Sequence, residues 1–335
     1  MRLLVLGGSV FVSRAVADEA VAAGHEVTCA TRGRSGEPPA GTTAVRVDRD
    51  EPDGLAPLRG REFDAVVDVS SRPSHVRAAV AELAPRVGHA VYVSSGSVYP
   101  DHTTPHQRAA DATVFDPAPP AADDPADPET YGPRKVACEQ AVVAGFGADR
   151  AFVCRAGLII GPHDTSYRFP YWVERFADGG EVLAPGAPDE PVQYIDVRDL
   201  AAWLVGSAAT GRAGTYDGIG APVTREHFLT HTAVGVGVPV ELTWVPQEFL
   251  AAHDVRPWAG ERALPLWLPL PEYAGFMTQD VDASLAAGLS TRDVAHSARD
   301  TLAWLRGPDG AIDSDGELSR ADEAAVLARW HEQAG

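Results

Sequence analysis

Leu3-Leu4-Val5-Leu6-Gly7-Gly8-Ser9-Val10-Phe11-Val12 decides how this chain of 335 residues folds. An unbroken apolar run of this length suits a strand buried on both faces. The glycine pair then turns it into residues 11–23, whose apolar positions recur at helical spacing. Strand, tight turn and helix N-terminus in that order leave backbone amides free to meet an anion, as in the first turn of a dinucleotide-binding unit. The glycines of that fingerprint recur three residues apart, and here Val10 and Ser13 stand where two of them would be. A side chain at Val10 is expected to crowd a pyrophosphate; Ser13 loosens helix packing only slightly. Gly7, Ser9, Val10, Phe11 and Val12 are the expected cofactor contacts of this turn.

Outward from that unit the pattern repeats. Apolar runs at 26–30, 43–47, 65–69, 90–94 and 151–154 alternate with helical text at 73–83 and 131–143. Such near-continuous Val, Leu and Ala strands predict an α/β fold: a Rossmann-type doubly wound parallel sheet with a smaller C-terminal α/β substrate-binding portion. Residues 100–128, rich in Pro, Ala and Asp, read as a long surface loop. Beyond Gly161-Pro162 the text is mixed. Helices are expected at about 171–177, 197–207, 291–305 and 320–332, and strands at 192–195 and near 240–245. An irregular stretch covers 255–272 and an acidic Gly/Asp break 308–316. The expected division is a cofactor-binding part, 1–165, to which 191–220 returns, and a mainly substrate-binding part, 166–335.

A net charge of −19 argues against nucleic acid and anionic membranes as partners, because both need clustered cations. No run approaches the length of a membrane span. Met1-Arg2 and the apolar run after it imitate a signal peptide, but Gly7-Gly8 breaks the run and strand plus turn is the better reading. Cys29, Cys138 and Cys154 have no metal or redox spacing and fit buried thiols of a cytoplasmic protein.

Two strand ends speak to the cofactor's identity. After the second strand comes Thr31-Arg32-Gly33-Arg34, with no acid to grip ribose hydroxyls; Arg32 there suits a 2′-phosphate, so NADP(H) is favoured and NAD(H) remains an alternative. Asp48 ends the third strand, where it could accept from the adenine amino group, and Ser70 follows the fourth. The fifth strand runs into Ser94-Ser95-Gly96-Ser97-Val98-Tyr99. Next comes Tyr131-Gly-Pro-Arg-Lys135, which holds the one lysine among 28 Lys and Arg residues. Phenol and ammonium four apart share one helix face. The ammonium favours the phenolate, which makes the tyrosine usable as an acid or base.

These motifs, with Gly157-Leu-Ile-Ile-Gly161-Pro162 and Gln193-Tyr-Ile-Asp-Val-Arg-Asp199, resemble the extended short-chain dehydrogenase/reductases of the NAD-dependent epimerase/dehydratase group over roughly residues 1–205. The resemblance implies Ser95 as the catalytic hydroxyl, Tyr131 as acid/base, and Lys135 as activator of Tyr131 and ribose contact. It implies Ala156 and Leu158 beside the nicotinamide, and Ser95, Ser97 and His163 against a small-molecule substrate. A homodimer through the Tyr131 helix is an option in such relatives. The Asp-Glu pair of sugar-nucleotide dehydratases is Gly96-Ser97 here, which speaks against dehydration. The glycine departures resemble the atypical branch of the family. An NADPH-dependent reductase is the first expectation, a sugar-nucleotide epimerase the second, and a non-catalytic cofactor binder the third. No metal is expected: His227 and His231 are spaced by four, but no third ligand stands nearby in sequence. The Asp cluster at 123–127 reads as a solvated loop.

Overall fold

The computed structural model describes residues 1–308, 310, 312 and 316–334. Its centre is β1 (Arg2–Leu6), flanked by β2 (Glu26–Thr31) and β4 (Ala65–Asp68). β3 (Thr43–Arg46) extends the sheet past β2; β5 (His89–Ser95), β6 (Ala151–Ala156) and β11 (Gly214–Gly218) extend it past β4. Every pairing in this seven-stranded sheet is parallel. The strand order reverses between β1 and β4, and ligands of such sheets bind outside the carboxyl ends at that point.

Alternation along the strands divides the apolar side chains between two faces. Leu3 and Val5 of β1 join Val16, Ala20, Leu200 and Leu204 on the face covered by α1 (Phe11–Ala22) and α5 (Val197–Thr210). Leu4 and Leu6 join Val76, Leu83, Val142 and Phe146 under α2 (Pro73–Leu83) and α3 (Tyr131–Phe146). Both faces of the inner strands are therefore dry, which is why β1, β4, β5 and β6 read as apolar runs; the edge strand β11, Gly214-Thr-Tyr-Asp-Gly218, was not expected from the sequence.

A second core lies beyond the sheet. Its parts are α4 (Arg168–Ala177), β8 (Gly180–Pro185), α6 (Arg225–Val236), β13 (Val240–Val245), α7 (Gln247–Ala252), α9 (Val294–Leu305) and α10 (Arg320–Ala334). Trp172 and Trp267 are its largest side chains, and the Trp172 indole donates to the Pro265 carbonyl at 2.8 Å. β8 pairs in parallel with β13; sequence reading missed β8 because Gly180 and Pro185 bound a short run without alternation. The strand expected at 192–195 is two separate pieces. β9 (Pro191–Val192) pairs antiparallel with β12 (Val223–Thr224), whereas β10 (Ile195–Asp196) pairs in parallel with β7 (Ile159–Ile160). Gln193, between them, is fully buried and bonds Gly220 and Gln279 instead of a strand. α8 (Asp282–Ala286), also unread, is tied to β11 by Ser284 Oγ donating to the Asp217 carbonyl. Most of the acidic break at 308–316 lies outside the described residues. Among the described residues no helix is long and apolar enough to cross a membrane.

The first turn depends on Gly8, whose φ is +116° and whose added Cβ would lie 2.5 Å from Cys29 Sγ on β2. Gly8→Ala is expected to cost on the order of 2 kcal/mol through backbone strain and overpacking. The readout is a lower urea midpoint at unchanged m; a midpoint equal to wild type would contradict this packing.

Candidate active site

At the carboxyl ends of β4, β5 and β6 lies a cleft of about 860 Å³. Phe11 and Val12 of the first turn, Val69, Ser95, Ser97, Tyr131, Lys135, Ala156 and Leu158 all face it. The turn after β5 and the start of α3 press together because residue 132 is glycine: a Cβ there would lie 2.2 Å from the Ser97 carbonyl oxygen. That contact brings Tyr131 to the same wall as the serines. Ser95 Oγ accepts from the Ser97 amide and donates to Ser97 Oγ, both at 3.1 Å.

Lys135 is 3% exposed. Its ammonium donates to the carbonyls of Val69 (3.3 Å), Ser70 (3.1 Å) and Val93 (2.7 Å), and lies 4.9 Å from the centre of the Tyr92 ring. All three of its protons are thus committed to backbone, so a ribose contact through Lys135 would have to displace one of the longer bonds. Among the described residues no hydrogen bond joins the Tyr131 hydroxyl to Ser95 or Lys135. The sequence expected Lys135 to act on Tyr131; its observed partners are strand ends.

Behind this wall is a buried ionic network. Ser94 Oγ donates to Glu139 of α3, which is held by Arg155 of β6 through two bonds of 3.1 and 2.9 Å. Arg155 also donates to the Tyr99 hydroxyl (3.2 Å), and Tyr99 donates to Asp217 of β11 (2.7 Å). One guanidinium stands among two carboxylates. Burial is the main influence on Asp217 and pushes its carboxyl up to about 6, although the Tyr99 hydroxyl and Arg155 pull the other way.

The first turn also borders a smaller pocket of about 210 Å³, faced by Gly7, Ser9, Val10, Arg32, Arg34, Arg49 and His75. Val10 is 44% exposed at its rim, as an obstruction at that position would be. α1 begins with no side-chain cap on its amides. Arg32 pairs loosely with Asp50 at 3.3 Å, Arg34 with Asp48 at 3.4 Å; Arg49 grips Asp68 with two 2.8 Å bonds. Asp48 and Ser70 do not face either pocket. Asp48 is turned to Arg34 and the Asp50 amide, and Ser70 Oγ accepts from the Arg72 amide. His163 faces a separate pocket with Arg14, Asp18 and Arg198, and its ring lies against Trp304 at 5.2 Å. That pocket shares Phe11 with the main cleft but includes neither the serines nor Tyr131.

Sequence reading did not select Arg34 or Arg49 for the smaller pocket, nor Leu268, Tyr273 and Phe276, which with Arg168 and Trp258 make the far wall of the main cleft. The arginines could have been found from their places just after β2 and β3. Apart from Arg168, at the start of α4, the far wall comes from a stretch without periodicity and gave no signal. Of Arg168, Arg175 and Arg198, any of which could meet a substrate diphosphate, Arg175 is buried against Glu323 and Arg198 pairs with Asp196 and Asp300. Arg168 alone reaches the cleft, 5.2 Å over the Trp258 ring. The carboxylates at 123–127 are occupied: Asp123 holds Ser74 and Arg72, and Asp127 accepts from Glu129 and Thr130.

Residues 3–217 match the NAD dependent epimerase/dehydratase family. The chain is 35% identical over 202 residues to 2′-dehydrokanamycin reductase of Streptomyces kanamyceticus, covering 58% of this chain and 52% of that protein. It thus spans about half the length of this curated relative. In fold it resembles the Bordetella bronchiseptica enzyme WbmH in complex with NAD+ (TM-score 0.64, 17% identity, covering 92% of this chain and 99% of the other). It also resembles UDP-N-acetylglucosamine 4-epimerase from Bacillus cereus (TM-score 0.62, 15% identity, 92% and 100%).

The network carries a pH dependence. The folded Asp217 carboxyl holds its proton up to about pH 6, against roughly 3.9 in an unfolded chain. Its contribution to stability is complete below the unfolded value and is lost as pH rises through the folded one, a span of up to about 3 kcal/mol. Asp217→Asn keeps an acceptor for Tyr99 and removes the charge. Its melting temperature is expected to rise relative to wild type at pH 7.5 more than at pH 5. An offset that is equal at both values would show that Asp217 does not titrate in this way.

Proposed function

The chain belongs to the NAD dependent epimerase/dehydratase family, and we propose that it is an NADPH-dependent reductase acting on a carbonyl of a small polar substrate. The observation that carries this reading is the shared wall of one cleft by the hydroxyls of Ser95, Ser97 and Tyr131 and by Ala156 and Leu158. The residues present fit a dinucleotide. Gly7 and Gly8 have no side chain to block the turn, α1 offers uncapped amides, and Arg32, Arg34 and Arg49 supply cations to the smaller pocket.

When bound, the nicotinamide supplies or accepts the hydride. Ser95 and Ser97 hydrogen-bond the substrate oxygen and orient it. Tyr131 gives that oxygen its proton in reduction and takes it back in oxidation. Lys135 fixes the start of α3 against the strand ends and keeps a positive charge in the wall behind it. Phe11, Val12 and Leu158 exclude water from the reacting centre. The reductase name of the relative in Streptomyces kanamyceticus supports this direction. A sugar-nucleotide epimerase is less well supported, because of the two arginines that line the cleft among the described residues Arg134 is committed to the Ser71 and Asp127 carbonyls, which leaves Arg168 for a diphosphate.

Tyr131→Phe is expected to lower kcat by about 10²- to 10⁴-fold and to leave NADPH affinity, read by fluorescence, within about twofold of wild type. Retained turnover would remove Tyr131 from the chemistry. The doubly substituted Arg32→Ala/Arg34→Ala protein should bind NADPH roughly 10- to 100-fold more weakly, the loss of charged hydrogen bonds, with little change for NADH. An equal loss for both cofactors would overturn the preference for the 2′-phosphate.

A further inference from the structure

The third metal ligand that the sequence did not offer is Asp293. His227 and His231 lie one turn apart on α6, their ring centres 3.8 Å from each other. Asp293, the N-cap of α9, places Oδ2 at 2.8 Å from His231 Nδ1 and 3.5 Å from His227 Nε2. We propose that His227, His231 and Asp293 form a binding site for one divalent transition metal of the zinc class, separate from the cleft and clamping α6 to α9.

The geometry supports three first ligands. One atom from each residue lies within 4.8 Å of the others. In a tetrahedron with bonds of about 2.0–2.1 Å the ligand atoms stand roughly 3.3–3.5 Å apart. One observed separation already has that value. The shorter one is a hydrogen bond whose proton the metal replaces, and it needs to lengthen by only a few tenths of an ångström. The ligands stand on rigid supports: both histidines are on a regular helix, and the other Asp293 oxygen accepts from the Ala295 amide at 2.8 Å. Side-chain exposures of 36–42% leave the site open to an entering ion and to a water in the fourth position. Two imidazoles and one carboxylate suit zinc better than calcium or magnesium, which prefer all-oxygen sets. The site joins α6 to α9 at the surface of the second core, and none of its residues lines the main cleft, so the metal acts on stability and not on the hydride-transfer step.

The test uses the untagged full chain, dialysed against chelator and titrated with Zn²⁺ by calorimetry, with Co²⁺ as a spectroscopic substitute. The expected result is one Zn²⁺ per chain, a melting temperature that climbs with free Zn²⁺, and the intense visible bands of four-coordinate Co²⁺. Asp293→Asn retains a good N-cap but loses the anionic ligand. It and the double His227→Ala/His231→Ala variant should each lose at least the roughly 100-fold in affinity that second-shell changes can cost. Absence of saturable one-to-one binding to wild type, or an unchanged isotherm in the double variant, overturns the proposal. The wild-type Co²⁺ spectrum decides the matter independently of how well either variant folds.

Discussion

At the carboxyl edge of a parallel sheet the last carbonyls run out of ladder partners, and here the Lys135 ammonium collects three of them, from Val69, Ser70 and Val93. The Ser70 carbonyl also accepts from the Tyr92 hydroxyl at 2.7 Å; leaving the Val69 or Val93 carbonyl unsatisfied and buried would cost about 1–3 kcal/mol each. Three acceptors converging from different directions suit a compact tetrahedral cation and not a planar guanidinium. This accounts for the single lysine in a chain whose other Lys/Arg positions are all arginine. The anchorage has geometric consequences. It ties α3 to the ends of β4 and β5, so the residue one turn earlier on the helix, Tyr131, is fixed relative to the serines that end β5.

A second tie lies one turn later on α3. Glu139 meets Ser94 and Arg155, and through Tyr99 the chain of contacts reaches Asp217. These bonds join α3, β5, β6 and β11 at one level of the sheet, directly behind the cleft. Arg134, with no exposed surface, adds bonds to the carbonyls of Ser71 and Asp127. The wall facing the substrate is therefore supported by buried polar groups whose own positions are determined, the condition for holding a reacting oxygen to within fractions of an ångström. Burial of Asp217 in this network is what raises its carboxyl, with the Glu139 charge a lesser contribution.

The inner part of the sheet was legible because both of its faces are buried, so β1, β4, β5 and β6 read as apolar runs; the edge strand β11, Gly214-Thr-Tyr-Asp-Gly218, has no such run and was not read. What escaped were features made by residues far apart in the chain. β8 finds β13 about 60 residues later, and Asp293 reaches His231 across 62 positions. Arg49 meets Asp68 across a strand order that no local pattern encodes. His163 was expected near substrate from its place after Gly161-Pro162, but a left-handed backbone (φ 67°) at that residue turns the loop toward Trp304 instead.

The far wall of the cleft shows why reaction class is easier to read than substrate. Its aromatic residues, Trp258, Tyr273 and Phe276, come from a segment folded onto the second core, with no repeating pattern of its own. Their positions depend on how α4, α6 and α9 pack, so any change in that packing alters the cleft while the hydroxyls at the sheet edge stay in place. Charge narrows the choice further. Among the described residues no carboxylate faces the cleft, and Lys135 and Arg134 are committed to backbone carbonyls. Arg168, stacked over Trp258, is left to meet a negative group. The small polar substrate proposed above would meet it with one negative group at most, whereas a diphosphate would bring a second phosphate that enters without a cation.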